Sequence, residues 1–393
     1  MNKAVIIPRS KHNISRQNIS PHALKVLYRL KRARFDAYLV GGSVRDLLLS
    51  RKPKDFDVVT NARPKQIKKI FQNSRIIGRR FKLVHVYFEN EVIDVSTFRG
   101  NMDTGQRIKK SKRMDQKEKK QHSATNVYGT MEEDVYRRDI TINALYYNIE
   151  NFSIVDYVNG MADIEKKTIR IIGKVRERFT EDPIRILRTI RLAKKLNFNI
   201  SYQIKPYLSQ MKSLLLSLPS ARLLDEIIKL FFHGAAYSTY RALETYNIFS
   251  IIFPGCAQKT TAQFTTFLKT ALKTMDKRFF EEKTLTPAFL LAVFLWMPLQ
   301  VYLKSLRKKY SLYSALHQGI HHIFDEQKSA LPISKRFKRM IRQIWILQFK
   351  FEKYTPKKAF RIKKQRYFKA GLDFLIIRAH RKPALQSIVS QWE

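Results

Sequence analysis

Cysteine is almost missing: Cys256 stands alone in 393 residues. An intramolecular disulfide and any Cys-rich zinc site are thereby excluded, and the usage fits a reducing compartment. Acidic residues are also scarce, 32 against 76 Lys and Arg, which leaves a formal net charge of +44. Such an excess goes beyond what solubility requires. It suits a polyanion held through phosphate contacts and counterion release, and favours nucleic acid over an anionic membrane surface. No hydrophobic run is long. The longest, Ala288 to Leu299, contains Pro298 and falls short of the roughly 20 residues of a membrane span, so it reads as a buried core helix. The N-terminus shows no apolar signal segment. These absences lead us to expect a soluble, cytoplasmic protein with no membrane contact. What is present is a 44% hydrophobic chain, enough for folded cores and long enough for two to four domains.

Ser20-Pro21 is a helix start, with an N-cap hydroxyl and proline at the first helical position, and Leu24, Leu27 and Leu30 follow at helical spacing. Tyr38-Leu39-Val40 reads as a short strand that Gly41-Gly42 turns into a helix from about Ser43 to Leu49. A strand carrying Phe56 and Val58 comes next. Leu83 to Phe88 and Val92 to Ser96 read as a hairpin joined at Glu89-Asn90-Glu91. From Arg99 to Thr130 the chain is rich in Lys, Gln and Ser with few apolar anchors, and we expect a mobile basic flap over RNA or nucleotide phosphates. Thr130 and Glu133 then form a capping box. A strand pair near Ile154-Val155 and Ile169 to Ile172 should close the first domain. From Phe179 onward the periodicity is helical almost throughout.

The chemistry-bearing residues cluster in the first part. Alternation along a strand sends Asp55 and Asp57 to one face and Phe56 to the other. Two carboxylates on one face can hold hard divalent cations about 3.5–4 Å apart, the geometry of two-metal phosphoryl transfer. Gly41-Gly42 ahead of a helix lets backbone N–H groups approach phosphates, with Arg45 in the first turn to reach a triphosphate. Asp94 lies on the second hairpin strand and becomes a third carboxylate if that strand neighbours the one bearing Asp57. Taken singly, each has a plainer reading: Asp-x-Asp is usually a surface turn, and Asp94 an exposed edge acid. The combined order is far more specific.

That order resembles the class II nucleotidyltransferases, the bacterial poly(A) polymerases and CCA-adding tRNA nucleotidyltransferases, over about Tyr38 to Leu196 and more loosely beyond. Arg137-Arg138-Asp139 before Ile140 to Leu145 resembles the family's Arg-Arg-Asp segment, and Glu181-Asp182-Pro183-Ile184-Arg185-Ile186-Leu187-Arg188 resembles its nucleotide-reading helix. The resemblance implies metal ligation by Asp55, Asp57 and Asp94 and a catalytic or orienting role for Asp139. Gly41, Gly42, Arg45 and Arg138 would meet the nucleotide phosphates, and Asp182, Arg185, Arg188 and Arg191 the base and ribose. Helix capping alone would explain Asp182, and a solvated ion pair Arg138. Two Mg²⁺ ions, with Mn²⁺ able to substitute, ATP and RNA 3′ ends are the implied cofactors and substrates.

Ile76 to Val86, with Arg79-Arg80-Phe81 at its centre, looks like a segment of the bacterial poly(A) polymerases and favours AMP addition over CCA addition. An inactive RNA-binding homologue is the third reading, disfavoured because a binder needs no metal carboxylates. Basic residues from Lys335 to Arg366 interleaved with Trp345, Phe349, Phe351 and Tyr354 suit single-stranded RNA, although at helical spacing such aromatics more often form core. Contacts with RNA-degradation proteins, which in such polymerases use a longer Lys/Arg-rich tail, remain an open expectation. The expected fold is α+β: a small mixed-sheet nucleotidyltransferase head (1–173), a helical neck (174–235) and a helical, basic RNA-binding body (236–393).

Overall fold

The computed structural model describes residues 3–78, 82–100, 127–257, 262–353, 356–380 and 382–392. Most of the expected flap and the Arg79-Arg80-Phe81 triplet lie outside these residues. The chain forms two compact units, Met1–Arg178 with Asn199–Ser201, and Phe179–Phe198 with Tyr202–Glu393. Their main boundary in sequence lies between Arg178 and Phe179.

The first unit is built on an eight-stranded sheet in the order β1-β8-β7-β2-β3-β6-β5-β4. Its strands are β1 (Val5–Ile7), β2 (Ala37–Val40), β3 (Asp57–Thr60), β4 (Ser74–Ile77), β5 (Leu83–Tyr87), β6 (Val92–Thr97), β7 (Leu145–Asn148) and β8 (Ile154–Asp156). The sheet is mixed: β3 and β6 run parallel, and the other neighbours run antiparallel. The expected hairpin is β5–β6, closed where the Phe88 N–H donates to the Glu91 carbonyl.

β7, a central strand, is not among the expected elements: it follows Ile140-Thr141-Ile142-Asn143-Ala144, where a single 3-10 turn over Thr141–Asn143 leads into it without Gly or Pro to mark the start. Two expectations need correction. The segment near Ile169 does not pair with β8. β9 (Thr168–Ile169) pairs in parallel with β10 (Asn199–Ile200) in a separate two-stranded sheet. Asp55 and Phe56 precede β3 rather than lie on it.

Helix α1 (Pro21–Arg32) has the expected start: the Ser20 hydroxyl accepts from the His22 and Ala23 N–H groups. Its buried face is Ala23, Val26, Leu27 and Leu30, with Leu24 only half-buried, and it packs on β2 and β3. Helix α2 (Gly42–Leu48) follows β2 through Gly41. Helix α3 (Pro64–Ile70) leads from β3 into β4. Helix α4 (Met131–Arg137) carries the Thr130–Glu133 capping box and ends at Arg137, so Arg138 and Asp139 stand just past a helix rather than in one. One core cluster joins Val40 and Val59 to Val135, Tyr146 and Val155.

Every regular element among the described residues of the second unit is a helix. The apolar run lies within a 20-residue helix, Pro287–Leu306, with Pro298 inside it. By length and composition this helix could cross a membrane, but 56% of its most apolar window is buried within the protein. It packs on Leu312–Lys328 and Lys335–Phe351, and the Trp345 indole donates to the Ala292 carbonyl at 3.1 Å. Trp345 and Phe351 are therefore core, as their helical spacing suggested. Phe360 instead stands 66% exposed, with the Lys364 ammonium 4.1 Å from its ring centre.

Candidate active site

Parallel pairing of β3 with β6 sets Asp57 opposite Asp94. In antiparallel pairing with β2, Asp57 lies opposite Val40, the residue before the Gly41 turn. The expected adjacency of Asp94 and Asp57 is therefore present. Asp55 is exposed in the turn just ahead of β3, and buried Phe56 and Val58 flank Asp57 in sequence. The outer edge of Asp57 reaches solvent, but protein crowds its carboxylate from the other sides. That crowding, with the charges of Asp94 and Asp55 and against the pull of Arg138, pushes its pKa up to about 6. Partial burial also raises the pKa of Asp94, opposed by His85 and reinforced by Asp55.

Carboxylates that raise one another's proton affinity are the condition a hard cation relieves. As the side chains stand, no three His, Cys, Asp or Glu groups among the described residues are close enough to hold a metal ion unaided. There is, however, a space beside Asp57. A Cβ placed on Gly41 would lie 3.3 Å from the Asp57 Oδ2 and 4.0 Å from an Arg138 terminal nitrogen. Gly41 has φ +78° and ψ −139°, which L side chains rarely adopt. Glycine is thus demanded there both by backbone and by the gap. Asp57 and Asp94, opposite each other in register, are oxygen donors of the hard type a divalent cation takes.

Arg138 is held rigidly. Its Nε and one terminal nitrogen donate to Asp134 Oδ2 at 3.2 and 2.8 Å, and Nε also donates to the Tyr146 hydroxyl at 2.8 Å. Tyr146 donates to the same Asp134 oxygen at 2.6 Å, and the Arg99 N–H donates to Oδ1 at 3.1 Å. These partners raise the pKa of Arg138 despite its burial. Arg178 donates to the carbonyls of Arg137 and Arg138, at 2.8 and 2.7 Å, and fixes the chain leaving α4. Asp139 is half-buried, and its carbonyl accepts from the Ile172 N–H.

Arg45 is buried, at 4% exposure. Its Nε and one terminal nitrogen donate to Asp46, and the other terminal nitrogen donates to Asn143 at 2.6 Å. It braces α2 against the segment before β7 instead of extending outward.

In the second unit, the helix Ile184–Leu196 buries Ile186, Ile190 and Ala193 as expected. Asp182 does not cap it; the N-cap is Pro183, with no side-chain bond. Asp182 Oδ2 accepts from Arg222 at 2.7 Å, and its buried Oδ1 has no hydrogen-bond partner among the described residues. Arg185 is buried and donates to Glu181 at 2.7 Å. Arg191 donates at 2.6 Å to buried Glu226, with Arg188 3.9 Å from that carboxylate.

Sequence reasoning passed over Asp134, Tyr146, Asn143 and His85. The first sits four residues before Arg138, the salt-bridging interval on a helix. His85 lies opposite Asp94 in the hairpin register and 3.1 Å from its Oδ1; the pairing Tyr87–Val92 is one residue off the expected three-residue turn, which would have set His85 opposite Val95.

Residues 37–170 match the family described as the poly(A) polymerase head domain. Residues 197–259 match the probable RNA- and SrmB-binding site of polymerase A, and 308–393 its arginine-rich C-terminus. Poly(A) polymerase I of Salmonella typhimurium is 40% identical across 98% of this chain and 84% of its own length. This chain belongs to the bacterial poly(A) polymerase family. Likeness to a CCA-adding enzyme of Lactobacillus johnsonii, 35% identical, covers only 57% of this chain and 52% of that one. A solved CCA-adding enzyme of Thermotoga maritima, in complex with tRNA, shares the fold at TM-score 0.66 and 18% identity, over 99% of this chain and 85% of that one. As a poly(A) polymerase family member the chain is a nucleotidyltransferase, and its head contains the paired Asp57 and Asp94, the Gly41 turn and the anchored Arg138.

Proposed function

We propose that this protein adds AMP from ATP to RNA 3′ ends without a template. The observation carrying the reading is the meeting of Asp57 and Asp94 beside the Gly41 gap, faced by an Arg138 that Asp134 and Tyr146 hold in place. Asp57 and Asp94, joined by Asp55, would hold divalent cations, two Mg²⁺ in our reading, which supply charge neutralisation at the α-phosphate and lower the proton affinity of the attacking hydroxyl.

The residues of the chain do the positioning. The terminal nitrogen of Arg138 nearest Gly41 makes no hydrogen bond within the protein among the described residues and is placed to donate to a phosphate oxygen. The Gly41–Gly42 backbone lets the triphosphate approach the sheet closely. Arg45 keeps the turn in shape through Asp46 and Asn143. His85 orients Asp94. Asp182, with its unpartnered Oδ1, and Arg185 would read the base, while Glu226 holds Arg188 and Arg191 for the ribose side. Asp139 remains a candidate that acts through the segment bearing Arg138. The bond from the RNA 3′ oxygen to the α-phosphorus forms as the bond to pyrophosphate breaks.

The near-full-length likeness to a poly(A) polymerase, against partial likeness to CCA-adding enzymes, favours AMP addition. Primer extension with each nucleotide offered singly decides the matter. ATP-dependent ladders on a short RNA support the proposal. Two C residues and one A on a truncated tRNA mean CCA addition, and a gel shift without product means an RNA binder.

A further inference from the structure

The head has a second cleft that this chemistry leaves unused. Tyr146 and Tyr147 are consecutive on β7 and so point to opposite faces of the sheet. Tyr146 faces the Arg138 side. Tyr147 faces the side covered by α1, where an open cleft of about 510 Å³ lies between the N-terminal segment, α1 and the turn at Phe152.

Its lining is chemically one-sided. Arg9 and Arg16 bring two guanidiniums, Ser15, Tyr28 and Tyr147 bring hydroxyls, and no carboxylate lines it. Arg16 is braced, donating to the Tyr28 hydroxyl at 3.1 Å with its guanidinium 5.0 Å from the centre of the Phe152 ring. Arg9 donates to the His12 carbonyl at 2.6 Å. Both arginines keep further N–H groups to offer. Tyr147 is 1% exposed, and its hydroxyl has no hydrogen-bond partner among the described residues. That hydroxyl borders the open cleft, where Arg9 and Arg16 both act electrostatically on it.

We infer that this cleft is a phosphate-binding site, distinct from the catalytic carboxylates, for a nucleotide carried either free or within an RNA strand. Arg9 and Arg16 pair with the phosphate oxygens, the Tyr147 hydroxyl donates to one of them, and the exposed part of the Phe152 and Tyr28 rings offers a face for the base. None of these residues belongs to the proposed adenylyl-transfer machinery, so the site can stand or fall independently of it.

The test uses the full chain in EDTA, with Arg9→Gln/Arg16→Gln and, separately, Tyr147→Phe, which keeps the ring and its packing. AMP binding is measured calorimetrically, and binding of a twelve-nucleotide oligo(A) is measured across a salt series. If the ligand is a free nucleotide, the double variant loses AMP binding at this site and Tyr147→Phe weakens it about tenfold. If it is an RNA strand, the double variant lowers the salt slope of oligo(A) binding by up to about 1.4. Either result supports the inference and identifies the source. Unchanged AMP binding together with an unchanged salt slope, in variants that melt like the parent, overturns it. Loss of primer extension in Asp57→Asn has no bearing on these readings, so the two proposals fail separately.

Discussion

Asp57 is the residue on which the site's electrostatics turn. Its carboxyl titrates near 6 in the folded chain against an ordinary 3.8. A raised folded pKa contributes stability that is fully present below about pH 4 and is lost as pH rises through 6. In EDTA the melting temperature should therefore drop as pH rises from about 4 through 6, and Asp57→Asn should remove that drop. Mg²⁺ at pH 7.5 should stabilise the parent and leave Asp57→Asn unmoved, while the variant's turnover falls by several orders of magnitude. Melting scans with and without Mg²⁺ across this pH range check the claim; a parent-like pH profile in the variant would remove Asp57 from the cluster. Gly41→Ala is a sharper case, because both the positive φ and the 3.3 Å approach to Asp57 forbid the methyl without adjustment. We expect it to cost about 1–3 kcal/mol in stability and to cut turnover by about a hundredfold or more. Denaturant titration and steady-state rates would measure the two effects, and a variant with parent-like values in both would refute the geometry.

At the level of elements, the last turn of α4 and strand β7 act together as a clamp on Arg138. Removing the charge of buried Asp134 leaves a guanidinium without its anion, so Asp134→Asn should destabilise the head by about 3–5 kcal/mol. Tyr146→Phe, which removes the hydroxyl that accepts from Arg138 and donates to Asp134, should cost about 1–3 kcal/mol and weaken ATP affinity. Urea unfolding ranks the two, and the reverse order would show that Tyr146 is the main support. The capped helices α1 and α4 and the β5–β6 hairpin were legible in the sequence because their signals are local: Ser20-Pro21, the Thr130–Glu133 box, and alternation about a three-residue turn. The Asp57–Asp94 adjacency could be stated only conditionally, since strand order is not written in any single segment. β7 went unannounced because a 3-10 turn without Gly or Pro leads into it, and the strand at Ile169 was given the wrong partner because its true one, Asn199–Ile200, lies farther along the chain. Aromatics divide the same way. Helical period placed Trp345 in the core, whereas nothing local announced that Phe360 would remain exposed beside Lys364. Phe360→Ala should weaken single-stranded RNA binding by about 1–3 kcal/mol, the range for one stacked base, without altering ATP affinity. Filter binding at fixed salt checks it, and unchanged RNA affinity would assign Phe360 no contact.

For the whole molecule, the charge of +44 makes ionic strength a controlling variable. RNA affinity should fall steeply between 50 and 200 mM salt, with a log–log slope of about −0.7 per phosphate contacted. Neutralising exposed Lys335, Arg336 and Arg339 should flatten that slope equally for every RNA sequence. A change that depends on sequence would mean base reading instead. The class of fold was readable as a whole from the shift in periodicity near Phe179, and the two compact units meet in sequence at that point.

The single parallel pair among the described strands of the large sheet, β3 beside β6, also bears on how the enzyme comes into being. Parallel neighbours cannot form a tight turn, so Asp57 and Asp94 meet only after α3, β4 and β5 have been threaded between them. The neighbouring β2–β7 pair joins segments even farther apart in the chain. Such distant pairings pay their loop-closure entropy before contact rewards them, and form slowly. On the proposed reading of Asp57 and Asp94, a growing chain would acquire its cation affinity late, as one of the last properties of the head to mature. Mg²⁺ binding during refolding becomes a clock for sheet completion, lagging behind the helical signal.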